Sequence, residues 1–210
     1  MSFHLDEPAI YLITSGAATP DNFQRTSKEI LDIIDVAVEV RVPLIQIREK
    51  LLPAKLLSEL AVAAVKITGG SSTRLLINDR ADVAMAAKAD GVHLTARSLP
   101  VNVIRANFSG NLIIGISTHT VEAAKSAAAQ GANFVVFGPV FETSGKGEPQ
   151  GLVELAKVCK ELRPFPVLGL GGIDETNYAS VMDAGASGLA AIRALNEPER
   201  LRNICSDLRK

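Results

Sequence analysis

Gln46, Arg48 and Lys50 occupy alternate positions of Gln46-Ile-Arg-Glu-Lys50. In an extended strand that period sends all three side chains to one face. An arginine fork beside a lysine point charge suits an anion, above all a phosphate or diphosphate. Glu49 and Asp79 could instead neutralise the pair as an ion-paired rim. Arg48 directly ends an apolar run, which favours the anion site.

Further along, Leu76-Ile-Asn-Asp-Arg-Ala-Asp82 closes an apolar run with Asn78 and Asp79. One carboxylate in that place suits a hard cation such as Mg2+, which completes its shell with substrate phosphates. The competing role is the N-cap of a following helix. Ser117-Thr-His119 closes another apolar run. After Phe137-Gly-Pro-Val-Phe141 comes a loop carrying Thr143, Ser144 and Lys146. Its hydroxyls, backbone N–H groups and movable cation suit phosphate, although the G-x-x-x-x-G-K-[ST] spacing is absent. In Gly169-Leu-Gly-Gly-Ile173, backbone amides around Gly172 can approach a phosphate, and Arg193 ends the last apolar run. His93 and His119 are candidate acid–base groups. A hydrogen-bonded structural histidine is the ordinary alternative for each.

These residues share one property: each follows a short, β-branched, continuously apolar segment. The segments are 11–14, 44–48, 74–78, 91–94, 112–117, 134–140, 167–171 and 188–193. Continuous apolarity marks strands covered on both faces. Between them lie segments of helical period at 27–40, 53–68, 121–130, 152–162, 177–184 and 198–208. Eight strand–helix alternations without a linker predict an α/β fold, a single (β/α)8 TIM barrel over residues 1–210. The weakest stretch is 80–94, where helix and strand are both brief. An open Rossmann-like sheet is the runner-up, but no G-x-G-x-x-G follows the first strand. In a barrel the polar groups at the strand ends converge on one mouth.

The 210 residues are 47% apolar and 21% charged, which excludes global disorder. Lys+Arg is 22 against Asp+Glu 23, a net charge of −1, so a general nucleic-acid binder is excluded and anion recognition must be local. Cys159 and Cys205 make no disulfide framework and fall in helical segments, where buried thiols are expected. No apolar run reaches about 18 residues, and the first residues lack a signal-peptide pattern. A soluble cytoplasmic protein without a membrane partner is expected. No interface stripe indicates an oligomeric state.

In order and spacing, the quoted segments resemble the thiamine phosphate synthase family and its TenI-type thiazole tautomerase relatives. The resemblance runs from Tyr11-Leu-Ile-Thr14 to Ala191-Ile-Arg193 and includes Ala89-Asp-Gly-Val-His-Leu94 and Gly115-Ile-Ser-Thr-His-Thr120. It implies an enzyme of small phosphorylated substrates. An aminopyrimidine diphosphate loses diphosphate, and the nitrogen of a thiazole phosphate captures the pyrimidine methylene. It further implies that Gln46, Arg48, Lys50, Asn78, Ser117 and Lys146 hold the pyrimidine diphosphate, with Arg48, Ser117 and Lys146 acting in catalysis. Asp79 becomes a magnesium ligand, and Thr143, Ser144 and Gly172 become thiazole-phosphate contacts.

Three departures stand out. Ser98, in His93-Leu-Thr-Ala-Arg-Ser98, replaces the family's second magnesium carboxylate, which implies weaker Mg2+ binding. Gly145 replaces a hydroxyl residue. Arg193 stands where a serine contacts the thiazole phosphate, and its guanidinium still suits phosphate. The tautomerase's histidine falls at Pro139. Synthase is therefore the leading expectation, with a tautomerase or a non-catalytic phosphate-binding paralogue as alternatives.

Overall fold

Eight parallel strands close on themselves in the computed structural model, which describes residues 5, 8–108, 112–143, 145 and 147–209. The order is β1 (Ala9–Ile13), α1 (Phe23–Glu39), β2 (Leu44–Ile47), α2 (Ala54–Thr68), β3 (Arg74–Asn78), α3 (Ala81–Ala87), β4 (Gly91–Leu94) and α4 (Val101–Asn107). It continues with β5 (Ile113–Thr118), α5 (Val121–Ala129), β6 (Phe134–Phe137), α6 (Gly151–Leu162), β7 (Val167–Leu170), α7 (Tyr178–Asp183), β8 (Gly188–Ala191) and α8 (Pro198–Asp207). Each strand pairs with its sequence neighbours, and β8 closes on β1 through Ala9–Gly188 and Tyr11–Ala190. This is the expected (β/α)8 barrel. The open sheet is excluded.

Strand parity sorts the side chains. Ile10, Leu12, Ile45, Ile47, Leu75 and Ile77 face outward onto the helices. Tyr11, Ile13, Leu44, Leu76, Phe134, Val136 and Leu168 face inward and fill the barrel. Period 2 thus gives each strand one face per core. The helices match their strands by period: α1 buries Phe23, Thr26, Ile30, Ile33, Ile34 and Ala37, a stripe at three- and four-residue spacing.

The observed strand ends differ slightly from the apolar runs. β1 begins at Ala9 and ends before Thr14, and β2 ends before Arg48. β6 and β8 stop at Phe137 and Ala191, well before Val140 and Arg193. Apolar side chains beyond those points pack in the loops: Val140 joins the outer core after the strand ladder has ended. The helix α4, absent from the sequence reading, carries Arg105, whose guanidinium donates to the carbonyls of Gly131 and Leu112 and to Asn133 Oδ1. Cys159 and Cys205 are buried thiols, each pushed up to about 11 by burial. Among the described residues no helix is long and apolar enough to cross a membrane.

Closure requires backbone contact at the last seam. A methyl at Gly188 would lie 2.0 Å from the carbonyl oxygen of Ala9, inside any tolerable contact. Gly188→Ala should therefore cost about 2–3 kcal/mol and lower Tm by several degrees. Thermal unfolding by circular dichroism checks this; an unchanged Tm would mean that the seam relaxes freely.

Candidate active site

A cavity of about 980 Å³ opens at the C-terminal ends of the strands, where a barrel places its site. Gln46, Arg48 and Lys50 all line it, as their alternation predicts. Asn78, Ser117, Thr143, Gly172 and Arg193 line it too. Ser144 and Lys146 lie outside the described residues. The sequence-predicted residues on β2, β3, β5, the β6–α6 and β7–α7 loops and the segment after β8 are thus brought to one cavity.

Among the described residues Glu49 does not turn to Arg48. Glu49 is buried and faces away, where its carboxylate accepts from Thr14 Oγ1 (2.6 Å), Gly16 N (3.0 Å) and Ala18 N (2.8 Å). Thr14 Oγ1 in turn accepts from Arg48 N at 2.8 Å. Glu49 therefore ties down the loop after β1, and strand parity keeps it off the Arg48 face. Among the described residues the cavity wall carries Arg48, Lys50, Arg97, Arg193 and Arg200 against only Glu142 and Asp174. A nearly neutral chain has built a locally cationic mouth.

Asp79 follows β3 and is exposed, outside the residues that line the cavity, and it does not cap α3, whose N-cap is Arg80 without a side-chain capping bond. Its φ of +61° is in the left-handed region, which Asp tolerates better than most residues. Asp79 N donates to His93 O at 2.9 Å, Asn78 Nδ2 donates to Asp79 Oδ2 at 3.4 Å, and Ser98 Oγ donates to Asp79 Oδ1. Ser98 Oγ also accepts from Thr95 N at 2.6 Å. Asn78 Oδ1 is buried with no hydrogen-bond partner among the described residues. Asp79, Asn78 Oδ1 and Ser98 Oγ are hard oxygen donors and fit a magnesium ion. With one carboxylate they leave most of its shell to phosphate and water. Among the described residues no three His, Cys, Asp or Glu side chains gather as a self-sufficient metal cage.

The glycine run is shaped by φ and by close approach together. Gly172 has φ +65°, and a methyl there would lie 2.6 Å from Glu142 O. Asn177 fixes this turn by donating to Gly172 O (2.8 Å) and accepting from Asp174 N (3.0 Å). Asp174 lies outside α7 and accepts from Thr176 N and Oγ1; Thr176's hydroxyl and N–H hold its carboxyl below the usual range. His119 lines the cavity with its Nδ1 bonded to the carbonyl of Gly138, so it takes the structural alternative.

Three contributors escaped the sequence reading. Arg97 and Arg200 reach the cavity from a loop and from α8, beyond any strand-end pattern. Tyr11 is the third. Fully buried inside the barrel, it accepts from Gln46 Nε2 at 3.0 Å and lies 3.2 Å from His93 Nδ1; His93 Nε2 lies 2.8 Å from Ser117 Oγ. A tyrosine amid an apolar strand was the available signal, because a buried phenol needs a partner.

Burial pushes the His93 imidazole down to about 3, and the positive charge of Arg48 acts in the same direction. Unfolded, it titrates near 6.5. Between these values the unfolded chain binds a proton that the folded chain does not. Stability should thus fall as pH drops from 6.5, by up to about 1.4 kcal/mol per pH unit, with no such slope above it. His93→Gln should flatten this acid limb in thermal melts between about pH 8 and 4. An unchanged limb would assign it to other groups.

Comparison with known proteins agrees with the barrel fold. A family model described as thiamine monophosphate synthase matches residues 10–195. A relative from Geobacter sulfurreducens is 43% identical over 190 residues, covering 89% of this chain and 86% of its own. The thiamine-phosphate synthase of Roseiflexus castenholzii is 37% identical over 189 residues, 89% of this chain and 80% of its own. The solved thiamine phosphate pyrophosphorylase of Pyrococcus furiosus superposes with a TM-score of 0.81 at 30% identity, over 97% of this chain and 98% of that one.

Proposed function

Because the chain belongs to the thiamine monophosphate synthase family, we propose that it joins an aminopyrimidine diphosphate to a thiazole phosphate, making thiamine phosphate and releasing diphosphate. The observation that carries this reading is a cavity with two cationic arcs. Arg48 and Lys50 follow β2, beside Asn78 of β3; Arg193 follows β8, beside the Gly171–Gly172 turn after β7, with Arg200 next to it in an ion pair with Glu175 at 3.3 Å. Two phosphorylated substrates need two such arcs.

In the proposed reaction the bond between the pyrimidine methylene and the diphosphate oxygen breaks, and its electron pair leaves on diphosphate. The thiazole nitrogen lone pair then forms the new carbon–nitrogen bond. Little covalent help is needed, so the work is placement and charge stabilisation. Arg48, Lys50 and Lys146 hold and neutralise the diphosphate. Gln46 and Asn78 bind the pyrimidine end, and Ser117 donates a hydrogen bond to the departing group. Thr143, Ser144, Gly172 and Arg193 hold the thiazole phosphate. Ile13, Val136, Leu170 and Ile192 give the cavity an apolar wall that limits water near the reactive methylene.

Asp79, with Ser98 Oγ and Asn78 Oδ1, would hold Mg2+, which when bound supplies further neutralisation of the diphosphate. A serine hydroxyl in place of a carboxylate makes that binding weak without diphosphate. The protein is read as a cytoplasmic single-domain enzyme of small molecules, without nucleic-acid or membrane partners.

Purified protein given both substrates should yield thiamine phosphate. Product only from a thiazole carboxylate phosphate, by aromatisation, would make it a tautomerase. Tight binding with product in neither assay would make it a non-catalytic binder. Arg48→Ala should lower kcat/KM by about 10²–10³ through lost charge stabilisation. Ser98→Asp should enlarge the rise in Tm that Mg2+ causes in the presence of diphosphate, and Asp79→Asn should remove it. If wild type responds as strongly as Ser98→Asp, another group supplies the missing ligand.

A further inference from the structure

The floor of the cavity is a chain of four side chains crossing the barrel interior. Gln46 Nε2, Tyr11 Oη, His93 Nδ1, His93 Nε2 and Ser117 Oγ follow one another with hydrogen-bond separations of 3.0, 3.2 and 2.8 Å. Only its two ends, Gln46 and Ser117, belong to the proposed substrate contacts. Tyr11 is buried beneath them, His93 is buried but reaches the cavity lining, and neither has another side-chain hydrogen bond among the described residues.

Such a chain has two self-consistent polarities. A neutral imidazole has one donor and one acceptor nitrogen, and a phenol has one proton to give. If Gln46 donates to Tyr11, Tyr11 donates to His93 Nδ1 and His93 Nε2–H donates to Ser117. Gln46 then turns its carbonyl oxygen to the cavity, and the Ser117 proton is free to point there. Run backwards, the chain offers the Gln46 amide protons and spends the Ser117 proton on His93. The mixed arrangement in which Tyr11 accepts from both Gln46 and His93 leaves the phenol proton without an acceptor in a buried place, which is costly.

We propose that Tyr11 and His93 are positioning residues that lock the first polarity, so that Gln46 meets the substrate as an acceptor and Ser117 as a donor. The assignment rests on the functional reading above. An aminopyrimidine brings an amino donor to Gln46, and a departing diphosphate brings anionic oxygen to Ser117; both match the first polarity and neither matches the second. The same lock rejects an oxo-pyrimidine, whose oxygen would face the Gln46 carbonyl. Tyr11 also holds the ring of His93 at a centroid distance of 5.6 Å, while Phe134 packs edge-on against Tyr11 at 5.4 Å, so the chain has little freedom to rearrange.

Long-range ¹H–¹⁵N spectra of the histidine rings read the lock without any turnover. The resonance that disappears in His93→Gln should show the Nε2–H tautomer in the wild type. Gln46→Glu, an acceptor in place of the amide donor, should reverse the chain and move the proton to Nδ1. Tyr11→Phe keeps the ring and removes the link; it should lower kcat about tenfold, the loss expected for one misdirected hydrogen bond, while KM for the thiazole phosphate stays unchanged. A merely structural role would lower the folded fraction and leave kcat per folded molecule intact. An Nδ1–H tautomer in the wild type, or full kcat in Tyr11→Phe, overturns the proposal even if Gln46→Glu does not fold. A wild type with the Nε2–H tautomer that makes no thiamine phosphate leaves the first polarity standing and overturns the functional reading instead.

Discussion

A closed barrel must fill its own interior, and each strand can send only alternate residues inward. Below the mouth this is met by apolar packing: Phe134 occupies the space beside Gly115, where a methyl would lie 2.3 Å from the ring. Just above, the filling turns polar, with Tyr11, Gln46, His93 and Ser117 in one connected chain. Leaving one such buried group unpaired costs about 1–3 kcal/mol, so these residues are specified together. The cavity above them inherits its shape and its hydrogen-bonding character from this layer.

Electrostatics at the mouth follows from the same parity. Glu49 is one residue from Arg48 and one from Lys50, close enough in sequence to cancel either. Pointing outward, it is instead held by three donors from the loop after β1. Hydrogen bonds to a charged group contribute roughly 1.5–3 kcal/mol each, far more than an exposed ion pair, for which about 0–1 is typical. The carboxylate goes to the loop rather than to its two cationic neighbours.

The surface around Asp79 is held together by hydrogen bonds. Ser98 gives its proton to Asp79 Oδ1. The Asp79–Ser98 pair carries a single carboxylate. Charge count governs the affinity of an oxygen site for a divalent ion, and Arg97 next in the chain adds a cation to the cavity wall.

The sequence alone determined the barrel, because eight continuously apolar runs alternating with amphipathic helices admit few other packings, and it placed Gln46, Arg48, Lys50, Asn78, Ser117 and Arg193 at strand ends, because period 2 and position after an apolar run are local properties. It also carried the family resemblance, through the order of short motifs. Only the tertiary structure decided where Glu49 would turn, that Asp79 would bond Ser98 rather than cap a helix, and that Arg97 and Arg200 would reach the cavity. Tyr11 and His93 were visible as residues but not as partners. They are 82 positions apart, and their 3.2 Å contact exists only because closing the barrel points β1 and β4 at each other across its interior.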